Sequence, residues 1–240
     1  MKLKNKRLCV LCQILGAILA VVIFSNCYAE PLKATPQKIK YLSKLEIDET
    51  RTVEIKGVIQ GYSANKVIEQ LEALDDGKPI LIRIDSPGGE IFSGVRILKA
   101  MDEVKSPITC YVSGMAASMA AVIATACPVL FVDKLSMSMF HEYSAGYEGS
   151  RKQLKSHMAA SEAMWEMLAS QTAKNLGIST AEFERRIDGI EWWLSPQEAV
   201  RSGFARAIVE KVVVVKKRPP EELVPSIEEL IKQIFKSECK

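Results

Sequence analysis

The apolar and polar positions of this chain change period several times, and each change marks an element. "RTVEIKGVI", from Arg51, alternates in the manner of a half-buried strand. "SANKVIEQLEAL" then sets Val67, Ile68, Leu71 and Leu74 at helical spacing. After the turn "DDGKP" come a short strand "ILIRI", a helix "GGEIFSGVRILKAMDEV", a Ser-Pro break and a strand "ITCYVSG". A helix rich in small residues follows, within "SGMAASMAAVIATA", and then the strands "PVLFVD" and "SMSMFHEY".

Residues 150–176 predict a long helix closed by Gly177. Leu154, Met158, Ser161, Trp165, Leu168 and Thr172 form its stripe, while Met164 and Met167 lie off it. Apolar groups on two sides of a helix suit contact with a second surface, such as another subunit, or packing within one core. Ser179 to Glu182 and Ser195 to Glu198 read as capping boxes opening two short helices, with Pro196 suited to a first helical position. "ARAIVEKVVVV" predicts a last strand, "KKRPPEE" a linker, and residues 226–237 a terminal amphipathic helix. Strands alternating with helices predict an α/β fold of repeated right-handed βαβ units on a mainly parallel sheet. Loops at the carboxyl ends of such strands build functional sites, and two stand out: "DSPGG" at 85–89 and "SGMAAS" at 113–118.

The first 29 residues follow another pattern. A basic, acid-free start, "MKLKNKR", precedes an apolar run from Leu8 to Phe24, and Cys27 and Ala29 are small residues where a signal peptidase reads. This predicts a signal peptide cleaved after Ala29, with an uncleaved membrane anchor as the rival; both export the remainder to the periplasm or the outer face of a membrane. The organisation expected is a signal at 1–29, a linker or arm at 30–50, one domain at 51–212, and a C-terminal linker and helix at 213–240. The whole chain has 32 Lys+Arg against 29 Asp+Glu, but the leader holds Lys2, Lys4, Lys6 and Arg7. The remainder is therefore near neutral, and no nucleic-acid partner is expected. Cys110, Cys127 and Cys239 are an odd number without close spacing, which predicts buried thiols rather than a disulfide framework or a zinc site.

Ser118 follows a strand and opens a helix, where a backbone N–H from Met119 can face an oxyanion. Taken alone it reads as a capping serine on a tightly packed helix. The "DSPGG" turn changes this, because Gly88 and Gly89 free the backbone to present a second oxyanion donor. A nucleophilic serine also needs a base. His141 closes "SMSMFH", whereas His157 lies in the long helix and reads as a surface or interface residue. Asp188 and Glu191, before "WWLS", are the carboxylates within reach of an imidazole.

From Arg51 to Glu210 the chain resembles the Clp protease proteolytic subunit (ClpP) family. The resemblance rests on four motifs in order: "IDSPGGEIFSG", "SGMAASMAA", "MFHEYSAGYEG" and "WWLSPQEAVRSGFARAIVE". It implies the ClpP/crotonase-like fold with a protruding "handle" helix at 150–176. It also implies a homo-oligomer, ring-like in the family, and a serine endopeptidase acting on peptides or unfolded proteins without a cofactor or metal. Ser118 would be the nucleophile, His141 the base, and Gly88, Gly89 and Met119 the oxyanion hole. The family's aspartate stands two residues before the aromatic of its last motif, a position held here by Glu191, with Asp188 in reserve. Glu142 and Tyr143 replace the usual Gln-Pro after the histidine. An exported chain meets no ATP, which predicts activity without the family's ATP-driven unfoldase. Two alternatives stand beside this: an exported Ser–Lys peptidase of signal-peptide-peptidase A type, using Lys134 or Lys152, and a non-catalytic peptide-binding assembly protein on the same fold.

Overall fold

A computed structural model of the chain describes residues 38–215. The leader at 1–29, the first part of the arm and the terminal helix at 226–237 lie outside the described residues. β1 (Tyr41–Leu42), β2 (Leu45–Asp48) and β3 (Thr52–Lys56) come first in the chain. They are followed by α1 (Gly61–Leu74), β4 (Ile80–Ser86), α2 (Ile91–Glu103), β5 (Ile108–Ala117) and α3 (Met119–Thr125). β6 (Leu130–Asp133) and β7 (Met137–Phe140) precede the long α4 (Arg151–Leu176) and α5 (Thr180–Ile187). β8 (Trp192–Leu194), α6 (Pro196–Arg201), β9 (Ala207–Val209) and β10 (Val212–Val215) complete the order.

The main sheet runs β1-β9-β6-β5-β4-β3, with β7 attached to the far part of β5 and β8 to β7. Its pairings are parallel except β7 with β8. The expected mixed α/β architecture on a mostly parallel sheet is therefore what the chain adopts. Val53, Ile55, Ile80, Ile82, Ile84, Cys110 and Val112 are buried from β3, β4 and β5. Val67 and Leu71 of α1 and Ile97 and Met101 of α2 join the same core. Each such large aliphatic side chain, fully buried, contributes roughly 1.5–3 kcal/mol.

β5 is the strand that positions the site. Its first part lies between β4 and β6, through Cys110↔Leu130 and Val112↔Val132. It then outruns β6 and takes β7 as its neighbour, through Met115↔Met137 and Ala117↔Met139. The loop expected at 113–118 is thus strand as far as Ala117, and the helix opens after Ser118, at Met119, as expected. The strand extends this far because β4 and β7 supply ladder partners for its backbone.

Three further expectations are corrected. The arm expected to be loose holds β1 and β2, which pair in parallel with β9 and β10. The single last strand is two strands in two sheets, interrupted at Glu210 and Lys211, and the second runs to Val215. Cys110 and Cys127 are not separate thiols but a disulfide, their Cα atoms 6.0 Å apart. α3 turns back after Ser118 and returns Cys127 beside the early part of β5, a closeness that a sequence separation of 17 does not display.

α4 opens with a full capping box between Ser150 and Gln153 and ends on Gly177 at φ 69°, a left-handed conformation suited to glycine. Its buried residues begin only at Leu168; most of the preceding turns are exposed, Met158 and Met167 among them. At α5 the box is half formed. Ser179 accepts from the Glu182 N–H, but the Glu182 carboxylate turns to Arg185 and Arg186. Among the described residues no helix is long and apolar enough to cross a membrane.

Candidate active site

Ser118 is the one non-glycine with positive φ among the described residues, at φ 53° and ψ −124°. Such a conformation costs about 1–3 kcal/mol and persists only where the surroundings impose it. The β5–β7 ladder does so, and the Ser118 N–H donates to the Met139 carbonyl at 2.8 Å. Ser118 occupies the N-cap position of α3, yet its side chain makes no capping bond. The hydroxyl is thus not used in the role that the bland interpretation assigned to it. The Ala121 and Val122 N–H groups donate to the Ser118 carbonyl at 3.0 and 3.1 Å, while the Met119 N–H is one of the helix's unsatisfied first donors.

The "DSPGG" turn lies directly against this corner. A Cβ on Gly88, at φ 95°, would fall 2.6 Å from the Ala117 carbonyl oxygen and 2.7 Å from Ser118 Cβ. Only glycine allows that approach. The Gly88 N–H is already committed to Ser86 Oγ at 3.1 Å, and Ser86 Oγ donates in turn to the Gly57 carbonyl at 2.6 Å. Gly89 is held by a bridge to Ile59, and a Cβ there would overlap the Ile59 carbonyl. Its N–H has no hydrogen-bond partner among the described residues. Of the donors in these two loops, Gly89 and Met119 keep free N–H groups, and Gly88 sets the close approach of the turn to Ser118.

His141 follows β7 immediately. Ser118 and His141 line one small cleft with Met119, Val122, Phe140, Tyr143, Trp165, Leu168 and Phe183. Neither Lys134 nor Lys152 lines it. His157 stacks near Tyr147 on α4, ring centroids 5.6 Å apart, outside that cleft.

The two carboxylates separate. β7 and β8 pair antiparallel through Ser138↔Leu194, Met139↔Trp193 and Phe140↔Trp192, and the ladder ends there, one residue before His141 on one strand and one after Glu191 on the other. Residues opposite one another on an antiparallel pair share a face. Trp193 Nε1 donates to Glu191 Oε2 at 2.9 Å. Asp188 is instead the C-cap of α5 and lines a neighbouring cleft with Glu142, Glu184 and Arg185. No hydrogen bond joins Ser118 Oγ, His141 and Glu191 among the described residues; such bonds commonly tighten only with substrate bound.

A family model for Clp protease matches residues 36–212. The chain belongs to the Clp protease family. The ATP-dependent Clp protease proteolytic subunit 1 of Protochlamydia amoebophila is 30% identical over 187 residues, across 73% of this chain and 88% of that protein. The ATP-dependent Clp protease proteolytic subunit of Streptococcus gordonii is 29% identical over 170 residues, across 66% of this chain and 84% of that protein. Among solved structures, a ClpP1 mutant from Listeria monocytogenes superposes with a TM-score of 0.62 at 26% identity, covering 68% of this chain and 93% of that one. The fold is accordingly the ClpP fold.

Around the site, this Clp protease family chain carries supports that motif matching does not reveal. Arg185 and Arg186 hold the Glu182 carboxyl down at about 2 through charged hydrogen bonds. Arg186 in turn lies over the Trp192 ring at 4.6 Å, and Trp192 packs on Phe140 with centroids 5.4 Å apart. The residue before His141 is thus fixed from α5 and β8 together. Trp165, Phe183 and Trp193 carried no site role on sequence grounds. The Trp193 spacing, two residues after Glu191 on a strand, is the signal that places both side chains on one face.

Proposed function

We propose that this chain is a serine endopeptidase that hydrolyses peptide bonds in peptides or unfolded segments. The observation that carries the proposal is Ser118 itself: strained, uncapped, followed by the free Met119 N–H, and sharing a cleft with His141. Ser118 Oγ attacks the carbonyl carbon while His141 takes the hydroxyl proton. The oxyanion is received by the N–H groups of Gly89 and Met119. Collapse breaks the C–N bond, and the amine leaves with the proton from His141. Water then adds to the acyl ester by the same proton path and restores Ser118. Glu191 orients His141 and stabilises the imidazolium that forms. The β7–β8 register supports it over Asp188.

The enzyme is exported and works as a homo-oligomer without an ATPase. The leader pattern and the Cys110–Cys127 disulfide support export, since disulfides persist in oxidising compartments. The exposed, partly apolar first turns of α4 support assembly. A fluorophosphonate probe tests the chemistry: labelling is lost in Ser118→Ala and in His141→Ala and strongly reduced in Glu191→Gln. Labelling that survives His141→Ala refutes the triad, and an absence of labelling in the unaltered protein leaves a binding module. A monomer at micromolar concentration by light scattering refutes the assembly. A strict requirement for a co-purifying ATPase refutes the independence.

A further inference from the structure

The main sheet has a second face. Leu81, between Ile80 and Ile82, and Phe131, between Leu130 and Val132, point to the side opposite the helix-covered core. They pack with Leu45 and Val212 around buried Ile47, Tyr111 and Val209. The β2–β10 pair covers only part of this face. Beside β2 it leaves a groove of about 730 Å³, with Leu45, Pro79, Leu81, Thr109 and Phe131 in its wall. Pro79 is exposed and the other four are half buried. No α-helix contributes to this lining among the described residues.

We infer that this groove seats the chain's own C-terminal segment, residues 226–237, as an amphipathic helix. Ile227, Leu230, Ile231, Ile234 and Phe235 recur at the i, i+3, i+4, i+7, i+8 spacing of one helical face. A helix of these twelve residues is marginal in water by itself and forms when its apolar face finds a surface. The exit point of the chain favours this surface. β10 ends at Val215, in register with Asp48, and Asp48 lines the groove. The ten residues 216–225 reach about 33 Å at most. So short a tether holds the segment beside the groove at about millimolar effective concentration. A membrane is the poorer match. Glu228, Glu229, Lys232 and Lys236 balance in charge, whereas a helix lying on a lipid surface carries a Lys/Arg-rich polar face. The seat is independent of the peptidase chemistry.

Hydrogen exchange of the full chain, followed by mass spectrometry, reads the segment directly. Its amides should exchange about 10-fold or more slowly than those of a synthetic peptide of residues 216–240. Ile234→Glu, in the segment itself, should abolish that protection, and so should Phe131→Glu in the groove. Leu81→Lys, on the same wall, repeats the test if Phe131→Glu fails to fold. Free-peptide rates in the unaltered chain overturn the inference. So does protection that survives the groove variants, or that appears only when vesicles of phosphatidylcholine and phosphatidylglycerol are added. A disulfide trap identifies which chain supplies the segment, with Leu81→Cys and Ile231→Cys placed together in a Cys239→Ser background. The bond should form within one chain. Bonds formed only between chains mean that a second copy fills the groove, and they overturn the own-chain seat.

Discussion

Opening the Cys110–Cys127 bridge is the perturbation whose size follows most directly from the chain. The bonded residues are 17 apart in sequence. In the chain-entropy account, closing a loop of this length removes about 10 cal/mol/K from the unfolded ensemble, or about 3 kcal/mol at room temperature. Reduction leaves every heavy atom present, so the buried surroundings of Cys110 lose no packing volume. Urea unfolding of the oxidised and fully reduced protein, with released thiols counted in each sample, measures the difference. With a slope of about 2 kcal/mol/M, the midpoint should fall by about 1.5 M. The double variant Cys110→Ala, Cys127→Ala should fall at least as far, since it loses the two sulfur atoms as well. The bridge also encloses Ser118 within its loop, so reduction should slow fluorophosphonate labelling under native conditions. An unchanged midpoint in a sample with both thiols titrated would refute the reasoning, because a constraint on the unfolded chain cannot be absorbed by the folded site.

Three other outcomes are expected. Trp193→Phe removes the indole N–H that holds Glu191 Oε2 while keeping an aromatic ring on β8. It should lower kcat several-fold and alter the pH profile of kcat/KM, while Glu191→Gln costs more; an unaltered profile contradicts a positioning role. Ser118→Gly should be more stable than Ser118→Ala by about 1–2 kcal/mol in urea, because glycine bears no Cβ in the positive-φ conformation; equal stabilities would show that no strain is stored there. The Glu182 carboxyl is held at about 2, below its ordinary 4.5, so its contribution is present above the ordinary value and is lost as pH falls from about 4.5 towards 2. Glu182→Gln should flatten that part of the acid-stability curve, and an unchanged acid limb would contradict it.

The βαβ order was legible because the apolar period switches cleanly at Thr52, Ser63 and Ile80, and the sheet demands little else of those segments. Ser118 and His141 were legible because each ends a strand within a recognisable run of small or apolar residues. What sequence order could not carry was pairing between distant segments. The proposed pairing of His141 with Glu191 over Asp188 rests on the β7–β8 register, with Met139 and Phe140 opposite Trp193 and Trp192. Spacing along the chain left Asp188 in contention. The disulfide escaped for a related reason. An odd cysteine count argues against a framework only when each cysteine is weighed alike, and the fold brings Cys127 to Cys110 through a turn at Ser118. The strands at 41–48 were missed because they are short and polar on one side, and their partners lie 167 residues later, at β9 and β10.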